Sequence, residues 1–239
     1  YSELPLSACL HEFALAPYII SKSALRHHAD TVRKESFFSN FMGGVHTDIE
    51  GKVYAKTPAV SVDGNPSDEW YKSRHIRTLD LFYHHFASGY VDPVRYCLST
   101  RFSIEERHFE SISALSPFVP RGHEHIFSLG FSRFFQGDYA SATYLLVPQL
   151  ENSIRFYMHT LNRETSKLDN ELLQEDRSLS GMLESLRPEL EQVFGGDLIN
   201  IIDLLFNYKP GPSLRHEIAH GKLSAGGCFS ASAIYACWL

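Results

Sequence analysis

The residues best placed by type and spacing to do chemistry stand together in Ser213-Leu214-Arg215-His216-Glu217-Ile218-Ala219-His220-Gly221. Two patterns overlap there and share His220. His216-Glu217-x-x-His220 is the H-E-x-x-H arrangement, in which histidines one helical turn apart point at one ion and Glu217 serves a metal-bound water as base. A zinc site needs a third protein ligand. Gly226 occupies the downstream position where a third histidine would stand, and Leu223 stands where glycine is expected. Beyond His220 the chain has no His, Asp or Glu, only Cys228 and Cys237. The missing ligand weighs against zinc, and no metal or other cofactor is expected.

The second pattern is Arg215 followed by four residues and His220. An imidazole titrates near neutrality and can take a proton from a hydroxyl or give one to a leaving oxygen. A guanidinium presents a fixed fork of donors to charge developing on a phosphorus-centred transition state. Positions five apart on a helix lie about 140° apart, so these side chains do not share a face. They converge if the arginine arm reaches around the helix or if a second protomer completes the site. The plain alternative is that both residues only hold the helix to its neighbours.

The segments around this motif resemble a known family. Phe134-Phe135-Gln136-Gly137-Asp138-Tyr139, leading into Leu145-Leu146-Val147-Pro148-Gln149-Leu150-Glu151-Asn152-Ser153-Ile154-Arg155, looks like a helical family of uncharacterised domains in the HEPN superfamily (higher eukaryotes and prokaryotes nucleotide-binding). Leu214 to Gly221 is similar to that family's closing segment, and Thr47 to Val53 with Ala55 to Pro58 to an upstream marker. The resemblance covers roughly residues 45–225 and includes a protein of RNA degradation at the endoplasmic reticulum. It implies a helical bundle, a homodimer, RNA as substrate and metal-independent ribonuclease activity with Arg215 and His220 catalytic and His216 assisting. Where the family commonly has Asn after the arginine this chain has His216, and that change creates the H-E-x-x-H coincidence. Many members of the superfamily are non-catalytic, so a module binding RNA, nucleotide or a partner protein is the alternative. An antitoxin or regulatory protein is a further expected partner.

Glu151 and Arg155 stand one turn apart and face the same way. They either orient the catalytic groups from behind, as Glu217 would also do, or form an ordinary ion pair worth a few tenths of a kcal/mol. His123-Glu124-His125 diverge around a helix start, so a shared ion is not expected. The same holds for His27-His28 and His84-His85. The 17 Phe and 12 Tyr fit core positions at helical spacing better than base-stacking platforms.

The elements that must position these residues read as all-α. Net charge is −6 with no basic run, against bulk affinity for nucleic acid but not against docking of one structured RNA. With 44% hydrophobic residues among 239, the chain can bury a substantial core. Cys9, Cys97, Cys228 and Cys237 lack C-x-x-C spacing and fit reduced thiols of a cytoplasmic protein. The opening Tyr1 suits a piece of a longer protein, so targeting is not judged from it. No membrane span is expected; the uncharged Leu223–Leu239 segment reads as a buried last helix.

Along the chain, two helices precede Gly43-Gly44, interrupted at Pro17, the second presenting Leu25, Val32, Phe37, Phe38 and Phe41 to a core. Residues 45–65 read as a loop with a short hairpin. A helix opens at Pro66-Ser67-Asp68-Glu69 and runs to about Ser88, another opens at Asp92-Pro93, and Ser103-x-x-Glu106 reads as a capping box. The Ser116–Gly122 stretch separates an N-terminal helical subdomain, residues 1–116, from the HEPN-like bundle, residues 117–239. In the bundle, Asp138 caps a long helix to about Asn162, bent at Pro148. Two or three helices follow over 166–207, broken at Pro188 and Gly195-Gly196, and Ser213 caps the motif helix after Lys209-Pro210-Gly211-Pro212.

Overall fold

The computed structural model describes residues 3–16, 19–35, 42–47, 51–60, 65–168 and 173–239. It is mostly helical, with two small antiparallel hairpins. Helices α1 (Leu6–Ala14) and α2 (Lys22–Glu35) flank the expected break, and Leu25 is buried. Phe37, Phe38, Phe41 and Pro17 lie outside the described residues. The expected hairpin pairs β1 (Gly44–Thr47) with β2 (Val53–Thr57).

Helix α3 (Asp68–Phe86) starts as expected, with the Ser67 side chain accepting from the Trp70 N–H. It carries two buried faces. Trp70 and Tyr71 join Ala29 and Val60 in a small satellite cluster, whereas Leu79, Tyr83 and Phe86 enter the main core. The chain does not break before Asp92. A wide π turn, Ala87–Val91, carries α3 directly into α4 (Asp92–Arg101), and the Asp92 N–H donates to Ala87 five residues back. The looser turn removes the conflict that Pro93, lacking an N–H, would bring to a regular helix.

The capping box at Ser103 does not form. Helix α5 (Arg107–Leu115) begins later, and Glu106 makes no side-chain cap bond. Ile104 is buried and its carbonyl accepts from Gln136, so this stretch is drawn into the core. Glu106 instead meets His125 at 2.6 Å.

After Ser116–Gly122 come α6 (Glu124–Gln136) and α7 (Tyr139–Thr160), which pack together along their length. Gly137 makes the left-handed corner between them (φ 81°), and the Asp138 side chain accepts from the Ser141 N–H. Helix α7 continues through Pro148. The stretch expected to hold only helices opens with a second hairpin, β3 (Ser166–Leu168) paired with β4 (Gln174–Asp176). Opposed Lys167 and Glu175 form an ion pair of 3.1 Å across it. Then follow α8 (Leu179–Ser185), α9 (Arg187–Phe194) and α10 (Gly196–Ile202), which ends in a π turn, Asp203–Asn207.

The motif helix α11 (Leu214–Ala219) packs on α7 and on that π turn. Ser213 precedes it but does not cap it. Its backbone is left-handed (φ 45°), and its buried Oγ has no hydrogen-bond partner among the described residues. The Pro210-Gly211-Pro212 turn lies so close to α3 that a Cβ on Gly211 would meet Ile76 at 2.7 Å, and left-handed Ser213 follows it directly. The last segment folds as two short helices, α12 (Ala225–Cys228) and α13 (Ala231–Trp238), each opened by a serine cap. Tyr235 of α13 lies among Phe82, Tyr83, Phe86 and Trp238, and Trp238 Nε1 donates to the Phe13 carbonyl of α1.

One buried cluster takes residues from both sides of Ser116–Gly122. Asp203 ties the halves polar-wise: it is almost fully buried and accepts from Lys72 of α3 at 2.9 Å, from Asn207 at 3.1 Å and from Arg187. Burial alone would raise its pKa, but these partners outweigh that and hold it below the usual aspartate value. No helix among the described residues is long and apolar enough to cross a membrane.

Candidate functional site

Helix α7 and the short helix α11 bring the Arg215 side chain against Glu151. Arg215 Nε donates to Glu151 Oε2 at 2.9 Å. The other oxygen, Oε1, accepts from Arg155 Nη2 at 3.0 Å. One carboxylate therefore serves two guanidiniums, with about a fifth of the Glu151 and Arg155 side chains and a third of Arg215 exposed. Arg155 is held in turn from its far side. Its Nη2 also donates to the Arg177 carbonyl at 2.9 Å, and its Nε lies 3.8 Å from Asp176 Oδ2, an ion-pair distance too long for a hydrogen bond. The terminal nitrogens of Arg215 make no hydrogen bond among the described residues.

The histidines of the motif form a separate pair. His216 and His220 have ring centroids 4.3 Å apart, tilted by 56°. His220 is exposed and forms the C-cap of α11, its N–H donating to the His216 carbonyl. His216 is half-buried, and its pKa is lowered by burial first, then by the neighbouring His220, with Glu217 opposing. A charge on the neighbouring ring therefore disfavours a proton on His216.

The expected site residues thus fall into two groups: Arg215 with Glu151 and Arg155, and His216 with His220 beside Glu217. Among the described residues no hydrogen bond or ring contact joins Arg215 to His220, in keeping with their angular separation on the helix. Among the described residues no group of three or more His, Cys, Asp or Glu side chains is arranged to hold a metal ion. His123 and His125 engage in local contacts, His123 with Gln149 Oε1 at 2.7 Å and His125 with Glu106.

Comparison with known proteins brings in no relative. No family model, no curated protein and no solved structure matches the chain.

Two participants escaped the sequence reading, Asp176 and Arg177 at the end of the second hairpin. Two three-residue strands, polar but for Leu168 and exposed but for half-buried Ser166, give no alternation of buried and exposed positions to read. The available signal was the opposed charges of Lys167 and Glu175. This hairpin and the Asn152–Arg155–Phe156–His159 face of α7 wall a groove of about 630 Å³. Arg155 stands between that groove and Arg215.

Proposed function

We propose that this chain is a metal-independent endoribonuclease of the HEPN type, acting as a homodimer. The observation that supports this best is the hold on Arg215. Glu151 fixes it through Nε alone, so the guanidinium is oriented while its two terminal nitrogens stay available to phosphate oxygens.

In the proposed reaction an imidazole of the His216–His220 pair, with exposed His220 as the primary group, takes the proton from an RNA 2′-hydroxyl. The 2′-oxygen attacks the adjacent phosphorus, the bond to the 5′-oxygen breaks, and that oxygen receives a proton. The products are a 2′,3′-cyclic phosphate and a 5′-hydroxyl. The lowered pKa of His216 keeps a neutral ring beside His220, the state in which the pair can accept a proton. Since Arg215 and His220 point to different sides of α11, a second copy that brings its own motif helix alongside completes the constellation. The acidic balance of −6 suits docking of a particular folded RNA, or control by an antitoxin-like regulatory protein, better than unselective binding.

A second reading has its own observation. Glu151 already neutralises much of the charge of Arg215, as a structural pair would, which favours a non-catalytic module binding RNA, nucleotide or protein.

Incubating purified protein with pooled cellular RNA in EDTA separates the two. Cleavage leaving cyclic-phosphate ends, lost by about a hundredfold or more in both Arg215→Ala and His220→Ala, is the expected result. Equal RNA turnover by parent and variants, or turnover only with added zinc, refutes the ribonuclease reading.

A further inference from the structure

The second hairpin lies far from the motif in sequence, yet only two side chains separate its base from Arg215. We infer that the base of this hairpin sets the orientation of Arg215, with Arg155 as the positioning residue that transmits it. The inference deepens the reading of Arg215 as a phosphate-binding group, but its geometry stands without that reading.

Every link is a direct contact. The Arg177 N–H donates to the Thr165 carbonyl at 3.2 Å, extending the ladder one step beyond Ser166–Asp176, and Thr165 is buried. The Arg177 side chain locks the same place, Nε to the Ser166 carbonyl at 3.2 Å and Nη1 to Ser185 Oγ of α8 at 3.1 Å. Ser178 then caps α8 through the Gly181 N–H. The Arg177 carbonyl is thus fixed between a strand ladder and a helix start, and Arg155 Nη2 donates to it. The same Nη2 donates to Glu151 Oε1, and Glu151 Oε2 receives Arg215.

The electrostatics give the coupling a direction. One carboxylate shared by two guanidiniums leaves an excess positive charge in a partly buried place, and the Arg177 carbonyl and Asp176 carboxylate offset it from the hairpin side. With these contacts intact, Arg155 occupies Oε1 and restricts Arg215 to one bond on Oε2. If the hairpin base loosens, Arg155 loses its outer anchor and Oε1 is released. Both oxygens can then engage Arg215 in a bidentate pair, which turns its terminal nitrogens toward Glu151 and away from a ligand. An intact hairpin base is therefore what keeps Arg215 open.

The test reads Arg215 directly and needs no cleavage, so an inactive protein leaves it decisive. The Nε–Hε cross-peak of Arg215 in a ¹⁵N-correlated NMR spectrum is assigned by its loss in Arg215→Lys. It is then followed in Arg155→Ala, in Arg177→Ala and in the milder Arg177→Lys, which keeps the charge but loses the planar fork. Lys167→Ala removes an ion pair of the same hairpin outside the relay and serves as control. Circular dichroism confirms that each variant is folded, and Arg177→Lys carries the test if Arg177→Ala is not. The expected result is a displaced Arg215 cross-peak in the Arg155 and Arg177 variants, with Lys167→Ala unchanged. A cross-peak that Arg177 substitution leaves in place overturns the inference, even if Arg155→Ala moves it, because Arg155 would then act without the hairpin. Displacement by Lys167→Ala as well overturns it too, as a sign of general loosening.

Discussion

At the scale of single residues, the sharpest contrast is between histidines. His216 is half-buried and His220 exposed. His75 of α3 is 4% exposed and has no hydrogen-bond partner for either ring nitrogen among the described residues. Burial first, then the positive charges of Lys22 and Arg26 on α2, push its pKa down from 6.5 to about 4. This has a consequence for stability. The folded state refuses a proton that the unfolded chain accepts as pH falls through 6.5. The stability that neutral His75 contributes is therefore complete above 6.5 and is lost progressively toward 4. Replacing it by Phe, which keeps the ring beside Tyr71, removes the titration. Urea unfolding at pH 7 and at pH 4.5 should show a smaller acid-induced loss in His75→Phe than in the parent, by on the order of 2 kcal/mol. Carboxylates titrate alike in both proteins, so an identical loss would show that His75 is protonated as readily when folded as when unfolded.

At the scale of elements, the corner between α6 and α7 shows how tightly the two long helices are joined. Gly137 is left-handed at φ 81°, and a Cβ there would come within 2.9 Å of Arg95 Nη1. Arg95 is not free to retreat. Its Nη1 donates to the Phe135 carbonyl and its Nε to Tyr139 Oη, which itself donates to Asp92. The strain of the left-handed backbone alone costs a non-glycine residue about 1–2 kcal/mol. Gly137→Ala should therefore lower unfolding free energy by about 2–3 kcal/mol once the displaced arginine is included. Denaturant titration checks it, and a loss below about 0.5 kcal/mol would mean that Arg95 swings away at no cost. This corner was legible in the sequence, since Gly followed by a capping Asp is a strong local signal, and Asp138 caps α7 as read. Elements whose signal is local came through in the same way, such as Ser67 before α3 and the first hairpin. What failed was local chemistry overruled from a distance. Ser103 and Glu106 spell a cap, but burial of Ile104 decides the backbone there. Ser213 spells a cap too, but its backbone is left-handed and its side chain makes no cap bond. The Arg215–Glu151 contact is a pairing across 64 residues, and nothing in the spacing of either motif specifies it. It had to come from the fold or from resemblance.

At the scale of the whole molecule, α3 is the member that joins the parts. One end carries Trp70 and Tyr71 into the satellite cluster with Ala29 and Val60, and the other carries Tyr83 and Phe86 into the main core against α13. Midway between them Ile76 lies under the Gly211 turn, and toward the first end Lys72 reaches buried Asp203. Most of a helix's stability in a protein comes from the packing of its apolar face, so the two halves of α3 are ordered by what they pack against. If α3 stays intact only while both clusters hold, the two must melt together, although no residue is shared between them. The chain's two tryptophans report on each separately: Trp70 is in the satellite, and Trp238 packs against the main core. Trp238→Phe leaves emission from the satellite alone, and Trp70→Phe leaves emission from the core alone. In each single-tryptophan protein, the fluorescence transition in urea should coincide with its own loss of helical circular dichroism. A Trp70 transition that completes well before the helical signal falls would show that α3 can fray from its first turns while the core stands. In that case Lys72–Asp203 does not hold the first turns of α3 to the core, and α2 and the first hairpin form a unit that opens on its own.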